Sequence, residues 1–345
     1  MKKVVVFLLG ISLSSQSFTQ GCVAIRSVAG ISPDLLFKDA QPGNGFIFAV
    51  TNRYFEASKS YSGDKFITDT LVRNRLYTLN FSLLKLMSKG WSLALNVPVS
   101  ANSRRNYADH GGLQLPQYTT SAFGLGDIRF SVYKWLLDPI TSQKGNIQAG
   151  LGIKFATGDY QCQDYFHRTL DSTVLAPVDQ AIQPGDGGTG ITLELGGFYS
   201  LAKKINLFAS GFYLINPREQ NGVSNLKGRA ATKTEIKNNT TVMSVPDQYN
   251  LRGGLNVEIQ KFVLAAALRY EKVPVNDLLG GSKGFRRAAS ITSVEPGLTY
   301  QMTNALAFIN VGIPFKRNIV ENEQNNMTPA GFAKYIFNFG AQFRL

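Results

Sequence analysis

The sequence predicts an all-β chain: a transmembrane antiparallel outer-membrane β-barrel of about twelve strands, with short periplasmic turns and long extracellular loops. Three observations predict it. Segment after segment alternates apolar and polar residues with period two. The connections between these segments alternate short and long. Charged residues recur on the polar faces, where the core of a two-sheet sandwich would not accept them unpaired.

The pattern is clearest between Phe123 and Tyr160. Ile128, Phe130 and Val132 alternate with Arg129, Ser131 and Tyr133, and Ile147, Leu151, Ile153 and Phe155 alternate with Gln148, Gly150, Gly152 and Lys154. A short connection containing Asp138, Pro139 and Gly145 makes the two runs an antiparallel hairpin. A wall with lipid outside and water or ion pairs inside accommodates both Arg129 and Lys154.

The same stretch carries two glycine-containing motifs, Gly124-Leu125-Gly126-Asp127 before the hairpin and Ala156-Thr157-Gly158-Asp159 after it. Their arrangement resembles the outer-membrane barrel proteins grouped as the phenol-degradation MetA-pathway or "transporter" family. The resemblance implies a Gram-negative outer-membrane barrel passing small apolar or aromatic compounds, with no catalytic residue to carry over.

Composition bounds the alternatives. The 345 residues are 44% hydrophobic, with 33 Gly, 23 Phe and 14 Tyr, a balance that suits many strands and turns. Downstream of residue 17 no apolar run approaches the roughly 18 residues of a membrane helix. Met1 to Ser17 reads as a signal peptide, with Lys2 and Lys3 ahead of an apolar centre from Val4 to Leu13. A lipoprotein acylated at Cys22 is the competing reading, although Thr19-Gln20-Gly21 lacks the expected aliphatic residue. Export follows from either. The formal charge of +13, or +11 once Lys2 and Lys3 leave, then points to lipopolysaccharide phosphate or an anionic solute rather than nucleic acid. Cys22 and Cys162 could pair in an oxidising periplasm. Scattered among His110 and His167 they show no metal-ligand spacing, and no cofactor is expected.

Taken in order, residues 18–44 lack a sustained period and read either as a mature N-terminal tail or as a segment folded into the lumen, their apolar content favouring the second. The barrel domain is expected over 45–345. The first run spans about Phe46 to Ser58, with a polar loop through Arg73 after it. Arg75–Met87 and the run from Trp91 to Ser100 follow, the latter carrying Pro98, which must sit where no ladder donor is needed. A loop through His110 and Phe123 leads to the hairpin described above. The runs Ile191–Leu201, Ile205–Ile215, Gln248–Ile259, Phe262–Glu271, Ile291–Gln301, Leu306–Lys316 and Tyr335–Leu345 complete twelve. Gly185-Asp186-Gly187-Gly188, in the long loop before Ile191, reads as a flexible turn rather than a calcium loop.

Connections after even-numbered runs are short and those after odd-numbered runs long, as expected when turns face the periplasm and loops the exterior. Trp91, Tyr199 and Tyr300 flank short turns, where an aromatic girdle would lie. In the last run Tyr335, Phe337, Phe339, Phe343 and Leu345 share one face, as in a closing strand read by the barrel-assembly machinery. Trp135 has the opposite parity.

Projection at period two puts Asp127, Arg129, Lys154, Glu194, Arg252, Glu258, Arg269, Glu271, Glu295, Lys316 and Arg344 on the inner face. These are the candidate lumen-lining residues, near enough to charge balance to form a network or a selective path. Arg104, Arg105, Lys227, Arg229, Lys233, Lys237, Lys283, Arg286 and Arg287 fall in the outer loops, available to outer-membrane lipid and lipopolysaccharide. Neither histidine lies on a strand beside a serine, so an enzyme is not expected. The expected role is a channel for passive uptake of a small-molecule solute; a structural or adhesive barrel and an anion-preferring porin are the alternatives.

Overall fold

Period-two patterning yields a closed antiparallel wall in the computed structural model, which describes residues 32–35, 45–320 and 330–345. The strands are β1 (Gly45–Ser62), β2 (Lys65–Leu86), β3 (Trp91–Asn106), β4 (Tyr118–Leu125), β5 (Arg129–Trp135), β6 (Gly145–Lys154), β7 (Gln163–His167), β8 (Thr173–Pro177), β9 (Gly190–Ala202), β10 (Ile205–Ile215), β11 (Gln220–Ser224), β12 (Val242–Ser244), β13 (Gln248–Ile259), β14 (Phe262–Val273), β15 (Ala289–Gln301), β16 (Ala305–Ile319) and β17 (Ala330–Arg344). Pairing runs β2-β1-β17-β16-β15-β14-β13-β10-β9-β6-β5-β3, and β2 pairs with β3 to close the ring. β4 and β5 are two halves of one wall position: β3 pairs with β5 over Trp91–Asn96 and with β4 over Val99–Asn106. The wall therefore has twelve positions, and closure removes the exposed edges of an open sheet. Among the described residues no helix is long and apolar enough to cross a membrane.

The outward rows are apolar and exposed. Leu251, Leu255 and Ile259 on β13, Leu264 and Leu268 on β14, and Phe337, Phe339 and Phe343 on β17 all point away from the lumen. Such an inside-out surface requires a non-aqueous surrounding. Trp91, Tyr199 and Tyr300 are exposed beside the short turns, with Lys134 5.3 Å from the Trp91 ring centre and Lys144 5.2 Å from that of Tyr199. Inside, Phe55, Leu76, Val273, Ile291, Phe332 and Ile336 form an apolar cluster on one side of the long-loop end. Trp135 points inward against Phe198, Phe208 and Ala267.

Several expectations are corrected. The polar loop after the first run is absent: β1 and β2 continue to Ser62 and from Lys65, so a two-residue turn joins them and the hairpin extends beyond the end of β3 while β1 stays paired with β17 to Tyr61. Polar residues on both faces hid the extended backbone there. Phe123 lies in β4, not in a loop. Lys316 faces outward and Arg317 inward, because the β15–β16 register slips between Thr292↔Lys316 and Ser293↔Pro314. The bulge leaves Phe315 unmatched and reverses the parity beyond it. Arg344 keeps its inward parity but is exposed at the rim, where its N–H donates to Asn304 O at 2.9 Å. Gly185 to Gly188 is buried rather than a free turn. The signal peptide, Cys22 and most of residues 18–44 lie outside the described residues.

Candidate functional site

The inner face of β13–β15 carries alternating charge. Arg252 Nη2 lies 2.8 Å from Glu295 Oε1, Arg269 Nη2 2.9 Å from Glu271 Oε1, and Arg269 Nη1 3.8 Å from Glu295 Oε2. Arg53 of β1 completes the ladder, its Nη2 reaching Glu271 Oε1 at 3.0 Å. Both carboxylates, Arg252 and Arg269 are buried and Arg53 is nearly so, a setting in which each charge is tolerable only with its partner. Among predicted residues, Arg252, Arg269, Glu271 and Glu295 are thus brought together. Arg53 was missed, and it ties β1 to β14 past the three strands between them.

Beside this ladder the lumen holds two cavities. One cavity of about 160 Å³ lies toward the long loops and another of about 260 Å³ toward the short turns. Thr51, Asn96, Arg129 and Phe212 line both, so these four form the waist between them. The Arg129 guanidinium sits over Phe212, with Cζ 5.0 Å from the ring centre. Nearby, Glu194 accepts hydrogen bonds from Tyr133 OH at 2.9 Å, Ser131 Oγ at 3.2 Å and Thr192 Oγ1 at 3.3 Å. Gly150 makes the room for this group: a Cβ there would lie 2.5 Å from Tyr133 Cδ1 and 3.1 Å from Glu194 Cβ. Glu258 lies lower on the inner wall and accepts from Asn206 Nδ2 at 3.2 Å.

Part of the N-terminal segment enters the shorter-turn cavity. Asn256 Nδ2 of β13 donates to Ser32 Oγ at 2.7 Å and Asp34 Oδ1 at 2.8 Å, and Pro33 lines the cavity beside Gly196. Ser32, Asp34 and Leu35 are buried there.

The two glycine-containing motifs meet where β4 gives way to β5. Ile128 N donates to Thr157 Oγ1 at 2.8 Å, Thr157 Oγ1 donates to Gly126 O at 2.9 Å, and Gly158 N donates to Asp127 Oδ1 at 3.1 Å. Pro98 sits opposite, at the point where β3 changes partner, and its carbonyl accepts from Gly126 N at 2.7 Å. Lys154 Nζ lies 3.3 Å from Asp127 Oδ2 and also pairs with Asp186. Asp186 brings its loop inward, where Gln183 and Pro184 line the upper cavity and Asn102 Nδ2 holds Ile182 O at 3.0 Å.

Above this mouth the loop cations are mostly occupied. Asp179 meets Arg287 at 2.9 Å, Lys227 at 3.4 Å and Arg104 at 3.7 Å, and Asp109 meets Arg104 and Lys227 at 2.8 Å each. Arg286 forms a bidentate pair with Asp277 at 2.6 and 2.8 Å. Burial pushes the Asp109 carboxyl up, but Lys227 and Arg104 outweigh it and hold it well below the usual range. Asp179 is likewise held low by Arg287, Arg104 and Lys227 against its burial. These pairs correct the expectation of nine available loop cations. Arg105, Lys233, Lys237 and Lys283 remain exposed.

His110 closes the same region. It accepts from His167 N at 3.0 Å through Nδ1 and lies 5.0 Å ring to ring from Phe166. Burial lowers its pKa to about 4, with Asp109 opposing and His167, Arg168 and Lys227 reinforcing the shift.

No protein-family model and no curated protein matches the chain. Its fold does match solved structures. An outer membrane channel from Pseudomonas putida F1 aligns with a TM-score of 0.62 at 11% identity, over 88% of this chain and 96% of that one. The Pseudomonas putida toluene transporter TodX aligns at 0.45 and 10% identity, over 91% of each chain. At such identities the likeness to the first is one of fold: an outer-membrane β-barrel.

Proposed function

We propose that the chain is an outer-membrane channel for passive uptake of small, mainly apolar or aromatic molecules. The observation that carries this reading is the pair of adjoining cavities inside a closed wall, separated only by the Thr51–Asn96–Arg129–Phe212 waist. An apolar exterior supports a membrane setting for the wall, and the fold shared with a Pseudomonas putida outer membrane channel favours the same setting. Residues 32–35, which sit against the lower cavity, act as a restriction on the path. The exposed cations Arg105, near the end of β3, and Lys233, Lys237 and Lys283 in the long loops contact lipopolysaccharide phosphate. The solute passes unchanged, so the barrel is not an enzyme. Affiliation with the phenol-degradation MetA-pathway family rests on the two motifs that clamp the wall break, and it supplies the aromatic solute class.

The test is flux. Liposomes carrying the folded barrel should take up small neutral aromatics faster than protein-free liposomes, and liposomes carrying an unrelated closed barrel should not. Equal rates in all three would leave a structural or adhesive barrel as the better reading.

A further inference from the structure

Charge pairing along the lumen singles out one residue. Of the described cations lining the two cavities, Arg53, Arg252 and Arg269 meet Glu271 or Glu295, Lys154 meets Asp127 and Asp186, and Arg287 meets Asp179. Arg129 has no carboxylate among the described residues within 4.0 Å, and its Nε is buried without a hydrogen-bond partner. It also occupies the waist. A guanidinium in a confined, partly water-excluded passage is poorly compensated unless an anion comes to it.

We propose that Arg129 and Phe212 form a recognition site for a small monocarboxylate with an apolar body. This deepens the channel reading by naming the solute class its waist selects. The guanidinium lies over the Phe212 ring, Cζ 5.0 Å from its centre, and its fork of N–H donors matches the two oxygens of a carboxylate. A single charge suffices, because every other cavity-lining cation already has a carboxylate partner; a dianion would find no second open one. The apolar body is accommodated by the walls on either side of the waist, Leu76, Pro98 and Leu214 above and Leu84, Ala94 and Trp135 below. Glu194, tied to three hydroxyls, sits on the same inner surface and repels an anion that strays from Arg129.

Benzoate and its neutral analogue benzamide provide the probe pair. In titration calorimetry with the folded full-length barrel in detergent, benzoate should bind about tenfold more tightly than benzamide. Arg129→Gln should abolish that difference, Arg129→Lys should keep part of it, and Phe212→Leu should weaken both ligands. Folding of each variant is checked by its heat-modifiable shift on gels. Equal binding of the two ligands by the unaltered barrel, or a benzoate preference that survives Arg129→Gln, overturns the site. Benzoate binding at Arg129 without flux of any small solute into liposomes would instead sink the channel reading while leaving the site assigned.

Discussion

Arg53 Nη2 meets Glu271 Oε1 at 3.0 Å although β15, β16 and β17 separate their strands in the wall. The contact is a chord across the lumen, and Arg269 shares the same carboxylate oxygen at 2.9 Å. Glu271→Gln leaves two buried guanidinia facing a neutral side chain. That loss should destabilise the barrel by about 3–5 kcal/mol, whereas Arg53→Gln should cost less because Arg269 still neutralises Glu271. Urea unfolding of the two variants in detergent checks the ranking; equal, small effects would mean that the ladder is not a stabilising network.

Asp179 holds three cations from three separate segments, Arg104, Lys227 and Arg287. Asp179→Asn should therefore loosen the loop end while sparing the wall. Limited proteolysis is expected to cut within residues 217–246 at least several-fold faster, with the heat-modifiable shift unchanged. Because its folded pKa is depressed, the Asp179 contribution is present above the unfolded value of about 3.9 and lost only as pH falls through the lower folded value. Wild-type protection from this cluster should persist at pH 5.

His110 should respond in the same direction but over a higher pH window. Its pKa falls to about 4 in the fold, against about 6.5 unfolded. The unfolded or opened form takes up a proton first, so the stability of this loop junction is full above about pH 6.5 and declines as pH drops toward about 4. Protection factors at residues 163–167, corrected for the intrinsic pH dependence of amide exchange, should fall between pH 7 and 5, and His110→Phe should remove that dependence. An identical profile in the variant would assign the effect elsewhere.

Orientation can be read in whole cells. Single cysteines introduced at Lys233 or Lys283, in the long loops, should react with an impermeant maleimide, and cysteines at Lys89 or Lys203, beside short turns, should not. The reverse pattern would invert the barrel in its membrane.

The wall was legible because each outward apolar row is uninterrupted over most strands, as in Leu251, Leu255 and Ile259. Legibility failed where the period failed. In β1, Ile47 and Phe55 point inward while the outward row contains Asn52, so neither face is uniform and Arg53 could not be assigned. The bulge at Phe315 inserts one residue, and every assignment beyond it, Lys316 included, changes face. Sequence also identified the inner charges without their partners, since pairing across a lumen depends on closure and not on spacing along a strand. The buried loop network had the same difficulty: nothing near Asp179 in sequence indicates that Arg104, Lys227 and Arg287 converge on it.

The channel claim is tested most directly by conductance in planar bilayers, comparing the mature chain with one lacking residues 18–44. Ser32 to Leu35 lie in the lower cavity against Asn256 and Gly196, so the intact barrel should conduct weakly and the truncated barrel several-fold more. Absence of conductance from both, in preparations whose folding is verified by the gel shift, would contradict a passive channel.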